Sequence, residues 1–146
     1  MRISFACLLL LAATVLSQEP HILPRYQKFI DQHVNGQMSA TRCTEVIRNK
    51  RISKTGSNEC KEFNTFIRAN TNHIKTICGS AGEPYTGGMT KSLQPFDIVV
   101  CELRNQQARH PRCEYRGQAR TRRIAIACEG GGYPVHFERD IIHFDH

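Results

Sequence analysis

Cys60-Lys61-Glu62-Phe63-Asn64-Thr65-Phe66, CKEFNTF, sets a lysine, a threonine and two aromatics beside one half-cystine. Read as an extended strand, the run sends Lys61, Phe63 and Thr65 to one face and Glu62, Asn64 and Phe66 to the other. An ammonium and a hydroxyl then share a surface. The ammonium is a compact point charge and the hydroxyl both donates and accepts, which suits a ligand with a charged phosphate and a polar edge. Taken alone, a lysine beside a cysteine is usually a solvated strand residue, so the rest of the chain has to decide.

Upstream, Tyr26, Phe29, Ile30, His33 and Val34 fall at i, i+3, i+4, i+7 and i+8, one face of a helix over Arg25 to Val34, with Asn35-Gly36 as its stop. His33 lies on the inward stripe, the usual place of a hydrogen-bonded core histidine. A second helix is predicted from Thr41, presenting Cys43, Val46 and Ile47, and Arg48, Lys50, Arg51 and Lys54 follow. That basic run has two readings, a solvated face or a patch for nucleic acid, glycan or nuclear import. Asn70 or Thr71 is predicted to cap a third short helix carrying Ile74, Ile77 and Cys78, closed by Gly79.

Downstream the texture changes to short β-rich runs between turn residues: Tyr85 to Thr90, Phe96 to Leu103, Cys113 to Gln118, Arg123 to Cys128 and Val135 to Phe137. Three helices followed by an antiparallel sheet make an α+β fold. Gly130-Gly131-Gly132 reads as the turn of a terminal hairpin, and in its return strand His136 alternates away from Val135 and Phe137.

Residues 1–17 carry Arg2, an apolar run from Ile3 to Leu16 and the small Ser17. This reads as a secretory signal peptide, too short to span a membrane, so residues 18–146 are taken as one domain and a secreted, extracellular protein is expected. Removing Arg2 leaves 19 basic against 13 acidic residues, and the expected partner is a polyanion. RNA, heparin-like glycans and anionic membranes all fit that charge. Of seven cysteines, Cys7 leaves with the signal, and six in a small secreted chain imply three disulfides. Their number selects no pairing, and their spacing shows no tight CxxC, which argues against zinc or a redox dithiol. Walker, dinucleotide-glycine, HExxH and GxSxG motifs are absent, so nucleotide-dependent, zinc-protease and serine-hydrolase chemistry find no support.

Taken together, Gln32-His33 in a first helix, CKxxNTF at Cys60 to Phe66 and PVHF at Pro134 to Phe137 resemble the secreted pancreatic-type ribonuclease A superfamily. The likeness runs from about Arg25 to Arg139. Six cysteines and the run Cys113 to Arg116, CEYR, place it nearest the angiogenin-like branch. The resemblance implies three helices on a V-shaped antiparallel sheet, and the pairing Cys43 with Cys101, Cys60 with Cys113 and Cys78 with Cys128.

It also implies an RNA endonuclease that cuts 3′ of pyrimidines through a 2′,3′-cyclic phosphate, needing no metal and no cofactor because RNA brings its own 2′-hydroxyl nucleophile. His33 would be the general base and His136 the general acid, roles that imidazole suits with an ordinary pKa of about 6.5. Lys61 would stabilise the extra charge on phosphorus. Gln32 and the Phe137 amide would hold phosphate oxygens, Thr65 would read the base 5′ to the cut, and Glu129 would help hold the base on the 3′ side.

Two positions depart from the family pattern: Glu138 stands where aspartate usually accompanies the PVHF histidine, and Val100 precedes Cys101 where some members have a polar residue. The apolar tail from Arg139 to His146 is expected to fold back near the pyrimidine pocket and slow turnover. The alternative function is a cationic host-defence or growth-signalling protein, angiogenic or antimicrobial, that acts by binding membranes, glycans or a receptor. A monomer is expected, and Arg48, Lys50 and Arg51 would serve nuclear import after uptake.

Overall fold

In the computed structural model, residues 21–142 are described. The signal peptide expected over residues 1–17 and the tail residues 143–146 lie outside them. Helix α1 spans Ile22–His33, α2 Cys43–Asn49 and α3 Thr71–Lys75. Six strands follow the chain: β1 Phe63–Ile67, β2 Gly82–Pro84, β3 Thr90–Ser92, β4 Phe96–Leu103, β5 Tyr115–Glu129 and β6 Tyr133–Ile141.

Helix α1 begins three residues earlier than its apolar stripe, because Pro24 falls in the first turn, where its missing N–H breaks no helical bond. It also ends one residue sooner: Val34 leaves the helix in extended conformation to bridge Ile67 of β1. In α3 the Asn70 side chain accepts from the His73 backbone N–H, the expected cap. A short 3-10 turn, Thr76–Cys78, carries the chain on to Gly79.

The sheet is antiparallel throughout. Strand β4 lies between β1 and the first half of β5, with Thr65 opposite Val100 and Val100 opposite Gln118. The second half of β5 pairs with β6 on one edge and β3 on the other, and β2 closes beyond β3. The long β5 therefore joins the two arms of the V. Each arm has its own core: one gathers Met38, Ile47, Phe66, Val99 and Leu103 beneath α2, the other Phe29, Ile67, Ile74, Ile98 and Ile126 beneath α1 and α3.

Three strand expectations are corrected. Of the run Tyr85 to Thr90, Tyr85 to Met89 form the turn between β2 and β3 and Thr90 opens β3, since Gly87 and Gly88 take positive φ of 70° and 76° and bend the chain. Cys113 to Gln118 and Arg123 to Cys128 belong to one continuous strand, because the intervening Ala119 to Arg122 holds no turn residue and pairs fully with β4. The last strand runs well past Phe137, and Ile141 is buried opposite Arg123. The tail therefore continues the sheet as far as Ile141, and Ile142 lines the cleft described below.

The disulfides are Cys43–Cys101, Cys60–Cys113 and Cys78–Cys128, as the resemblance implies. They close separations of 58, 53 and 50 residues. Loops of that length give about 4 kcal/mol each in the chain-entropy account, set against a net stability of about 5–15 kcal/mol for a small domain. The fold depends on them.

Candidate active site

Between the two arms opens a cleft of about 820 Å³, lined by α1, β1, the β4–β5 face and β6. His33 enters from the last turn of α1 and is 9% exposed. Its ring packs between those of Phe29 and Phe137, centroids 5.5 and 5.3 Å away. Its Nδ1 lies 2.8 Å from the Thr65 carbonyl oxygen. A carbonyl only accepts, so Nδ1 carries the proton and donates, and Nε2 keeps its lone pair.

Burial pushes the His33 pKa down to about 4; the bond to Thr65 pulls it partly back, and the Lys61 and His136 charges add to the depression. The ring is thus neutral at physiological pH. In the unfolded chain the same imidazole titrates near 6.5, so below that pH the unfolded state binds a proton that the folded state refuses until about pH 4. Stability therefore falls as pH drops through that window, by about 3 kcal/mol from this group. Urea unfolding between pH 7 and 4 should show a shallower pH dependence in His33→Asn than in wild type. Identical slopes would contradict the burial account.

Lys61 lies just before β1, so it escapes the strand's strict alternation. Its Nζ donates to Asn64 Oδ1 at 2.9 Å, and Asn64 Nδ2 donates to the Gln32 carbonyl at 2.9 Å. The expected separation of Lys61 from Asn64 onto opposite faces is therefore corrected. Asn64, 2% exposed, ties the ammonium to the turn of α1 that carries His33. Burial first, then the Lys28 ammonium, lowers the Lys61 pKa, which makes its proton easier to share with an anion.

His136 is exposed on β6, and its Nε2 lies 3.0 Å from Glu138 Oε2. The extra methylene of glutamate does not prevent the bond. With Nε2 engaged, Nδ1 is the nitrogen left to serve the cleft. Simple alternation would turn Phe137 away from the His136 side, yet consecutive residues from Val135 to Asp140 line the cleft. The pairing shifts twice, passing over Val135 and Glu138, and such bulges re-aim side chains.

Thr65 and Gln32 line the same cleft, and the Phe137 ring stacks on His33. Glu129 does not line it. Its carboxylate is held by Arg25, whose side chain does reach the cleft. Sequence reasoning missed Asn64, Arg120 and Arg122. A polar residue between Phe63 and Phe66 on the face that packs inward needs buried partners, which was the available signal for Asn64. Arg120 donates to Gln118, and Arg122 pairs with Asp140 at 2.9 Å.

A neutral imidazole, a second imidazole held by a carboxylate and a positioned ammonium can move two protons around a phosphodiester while its charge rises. Fold and cleft together define a disulfide-stapled endoribonuclease. Residues 24–138 match the family model described as pancreatic ribonuclease. Ribonuclease-like 3 of Danio rerio is 42% identical over 141 residues, 92% of this chain and 93% of that one. Angiogenin of Macaca mulatta is 34% identical over 122 residues, 81% of this chain and 80% of its own. The X-ray structure of zebrafish RNase5 superposes with a TM-score of 0.78 at 44% identity, covering 82% of this chain and 97% of that one. The chain belongs to the pancreatic ribonuclease family.

Proposed function

We propose that the protein cuts RNA on the 3′ side of pyrimidines by transphosphorylation. His33 Nε2 takes the proton of the 2′-hydroxyl, and the 2′-oxygen attacks phosphorus. The bond from phosphorus to the 5′-oxygen breaks, and His136 gives that oxygen a proton. The products are a 2′,3′-cyclic phosphate and a 5′-hydroxyl; water opens the ring with the two histidine roles exchanged. Lys61 holds the added charge on the phosphorane oxygens, and Gln32 and the Phe137 amide hold the remaining phosphate oxygens. Every proton and charge has a side chain assigned to it, so the scheme calls for no metal.

The observation that carries this reading is the 2.8 Å bond from His33 Nδ1 to the Thr65 carbonyl. It fixes the base's tautomer and fastens it to the residue that faces the nucleobase, so recognition and chemistry share one strand. Thr65 reads the base by donating its N–H and by letting its hydroxyl donate or accept, which admits uracil and cytosine. Further along, a shallow groove shares Lys28 and Gln32 with the cleft and adds Arg51 and Lys54, a path for the RNA backbone.

The test is disulfide-bonded protein with uridylyl-adenosine, cytidylyl-adenosine and adenylyl-adenosine, product followed by mass spectrometry. Cyclic phosphate from the two pyrimidine substrates, with the purine substrate at least tenfold slower, is the expected outcome. Equal rates on all three would remove Thr65 as the reader.

We place the protein outside the cell, because the leading residues read as a secretory signal and three disulfides suit an oxidising compartment. A signalling or defence role beside catalysis is favoured by the excess of 19 basic over 13 acidic residues that remains without Arg2 and by the exposed Arg48, Lys50 and Arg51 at the end of α2. Such an effect would survive in a catalytically dead protein.

A further inference from the structure

No disulfide reaches α1. Of the bonded cysteines the first in the chain is Cys43, so the helix that carries His33 is held by non-covalent contacts alone. Those contacts run along the hairpin of β5 and β6. Ile22 fills the space beside Gly130, where an added Cβ would meet its Cγ2 at 2.9 Å, and Arg25 pairs with Glu129. The Tyr26 ring lies 5.0 Å from that of Tyr133, and the His33 ring stacks on Phe137. The helix of one histidine is laid along the strand of the other.

The contact between the tyrosines has a third member. Lys75, the last residue of α3, sets its Nζ 4.8 Å from the Tyr133 ring centroid and 5.8 Å from that of Tyr26, within reach of a cation–π attraction to both rings. Among the described residues no carboxylate pairs with Lys75, so the two rings are what its charge meets. The support under Lys75 is covalent: Cys78, just beyond it, is bonded to Cys128, the neighbour of Glu129 in β5. Neither the lysine nor the tyrosines line the cleft or belong to a core cluster. Yet Tyr26 stands two helical turns before His33 on one stripe, and Tyr133 opens the strand that carries His136.

We propose that Lys75, Tyr26 and Tyr133 form a clamp that positions the helix of the general base against the strand of the general acid. The inference rests on the proposed reading of His33 and His136 as that pair. All three are positioning residues, because none touches the reacting atoms. The part that moves when the clamp is lost is α1, since β6 stays paired with β5 while the helix has no covalent tie. The fault therefore falls on the base.

The experiment measures kcat/KM on two esters, uridylyl-adenosine and uridine 3′-(4-nitrophenyl phosphate), whose leaving group needs no proton. Lys75→Met keeps the length of the stem and removes the charge; Tyr133→Leu removes a ring. Each should lower kcat/KM by roughly threefold to a hundredfold, the upper end being the effect of a misplacement of about 1 Å. The loss should be the same on both esters, as expected when the 2′-hydroxyl is poorly met by its base. Lys75→Arg, which restores a cation able to stack on the rings, and Tyr133→Phe, which keeps the ring, should both stay within about twofold of wild type. Lys75→Met combined with Tyr133→Leu should lose no more than about twofold beyond the worse single variant, because the two changes remove one contact.

Circular dichroism of Lys75→Met should match wild type, since Lys75 is only half-buried and outside both cores. Were Tyr133→Leu to unfold, the comparison of Lys75→Met with Lys75→Arg decides alone. Unchanged kcat/KM in Lys75→Met would overturn the clamp. A loss confined to uridylyl-adenosine would place the fault at the acid and overturn it too, as would losses that multiply in the double variant. A wild type inactive on both esters would instead defeat the functional reading itself.

Discussion

Replacing His136 with alanine should lower kcat/KM on uridylyl-adenosine by about 10²–10⁴-fold, the usual worth of a positioned general acid or base. The fold should not register the change, because the side chain is exposed and, among the described residues, its hydrogen bond is to Glu138, which is exposed as well. The loss should also depend on the leaving group. An adenosine 5′-oxygen leaves as a strongly basic alkoxide unless it is protonated, whereas 4-nitrophenolate leaves without help. On uridine 3′-(4-nitrophenyl phosphate), His136→Ala should therefore recover most of wild-type activity. His33→Ala should stay crippled on both substrates, since the 2′-hydroxyl must lose its proton in either case. Equal losses for His136→Ala on the two esters would mean that this imidazole is not the acid. Glu138→Gln tests the support: it keeps a hydrogen-bonding group beside His136 Nε2 and removes the carboxylate charge, so kcat/KM on uridylyl-adenosine should fall by less than in His136→Ala.

Much of this arrangement was legible before any coordinates. The 3.6-residue stripe of α1 put His33 inward, and its inward position is what keeps its ring neutral. The turn chemistry of Gly130 to Gly132 set the terminal hairpin, and the order of the three motifs pointed to one cleft. Three features were not legible, each for a physical reason. Bulges are invisible to a period-two pattern, so the joint service of His136 and Phe137 could not be read from alternation. Continuity of β5 depends on pairing with β4, a partner distant in sequence, while its own residues between Ala119 and Arg123 are too polar to announce a strand. The Asn64 bridge joins residues 32 positions apart, and a tertiary hydrogen bond leaves no local signature.

Lys61 carries the second large expectation. In the ground state the phosphodiester has one negative charge, and in the phosphorane two, so an ammonium fixed beside it acts chiefly on the transition state. Lys61→Ala should lower kcat by about 10²–10³-fold, the range for removing one preorganised oxyanion donor, with a much smaller change in KM. Lys61→Arg should recover little, because a planar guanidinium is a different shape from a point charge held through one Asn64 oxygen. Asn64→Ala should fall between wild type and Lys61→Ala, since the charge remains while its tether to the Gln32 carbonyl is lost. The pH profile supplies an independent check. The Lys61 charge helps hold the His33 pKa near 4, so Lys61→Ala should move the acid limb of kcat/KM upward, toward the ordinary imidazole value. A simple loss of folded protein would lower activity at every pH and leave that limb in place. An unmoved limb together with a raised KM and an unchanged kcat would make Lys61 a ground-state phosphate ligand and take it out of the chemical step.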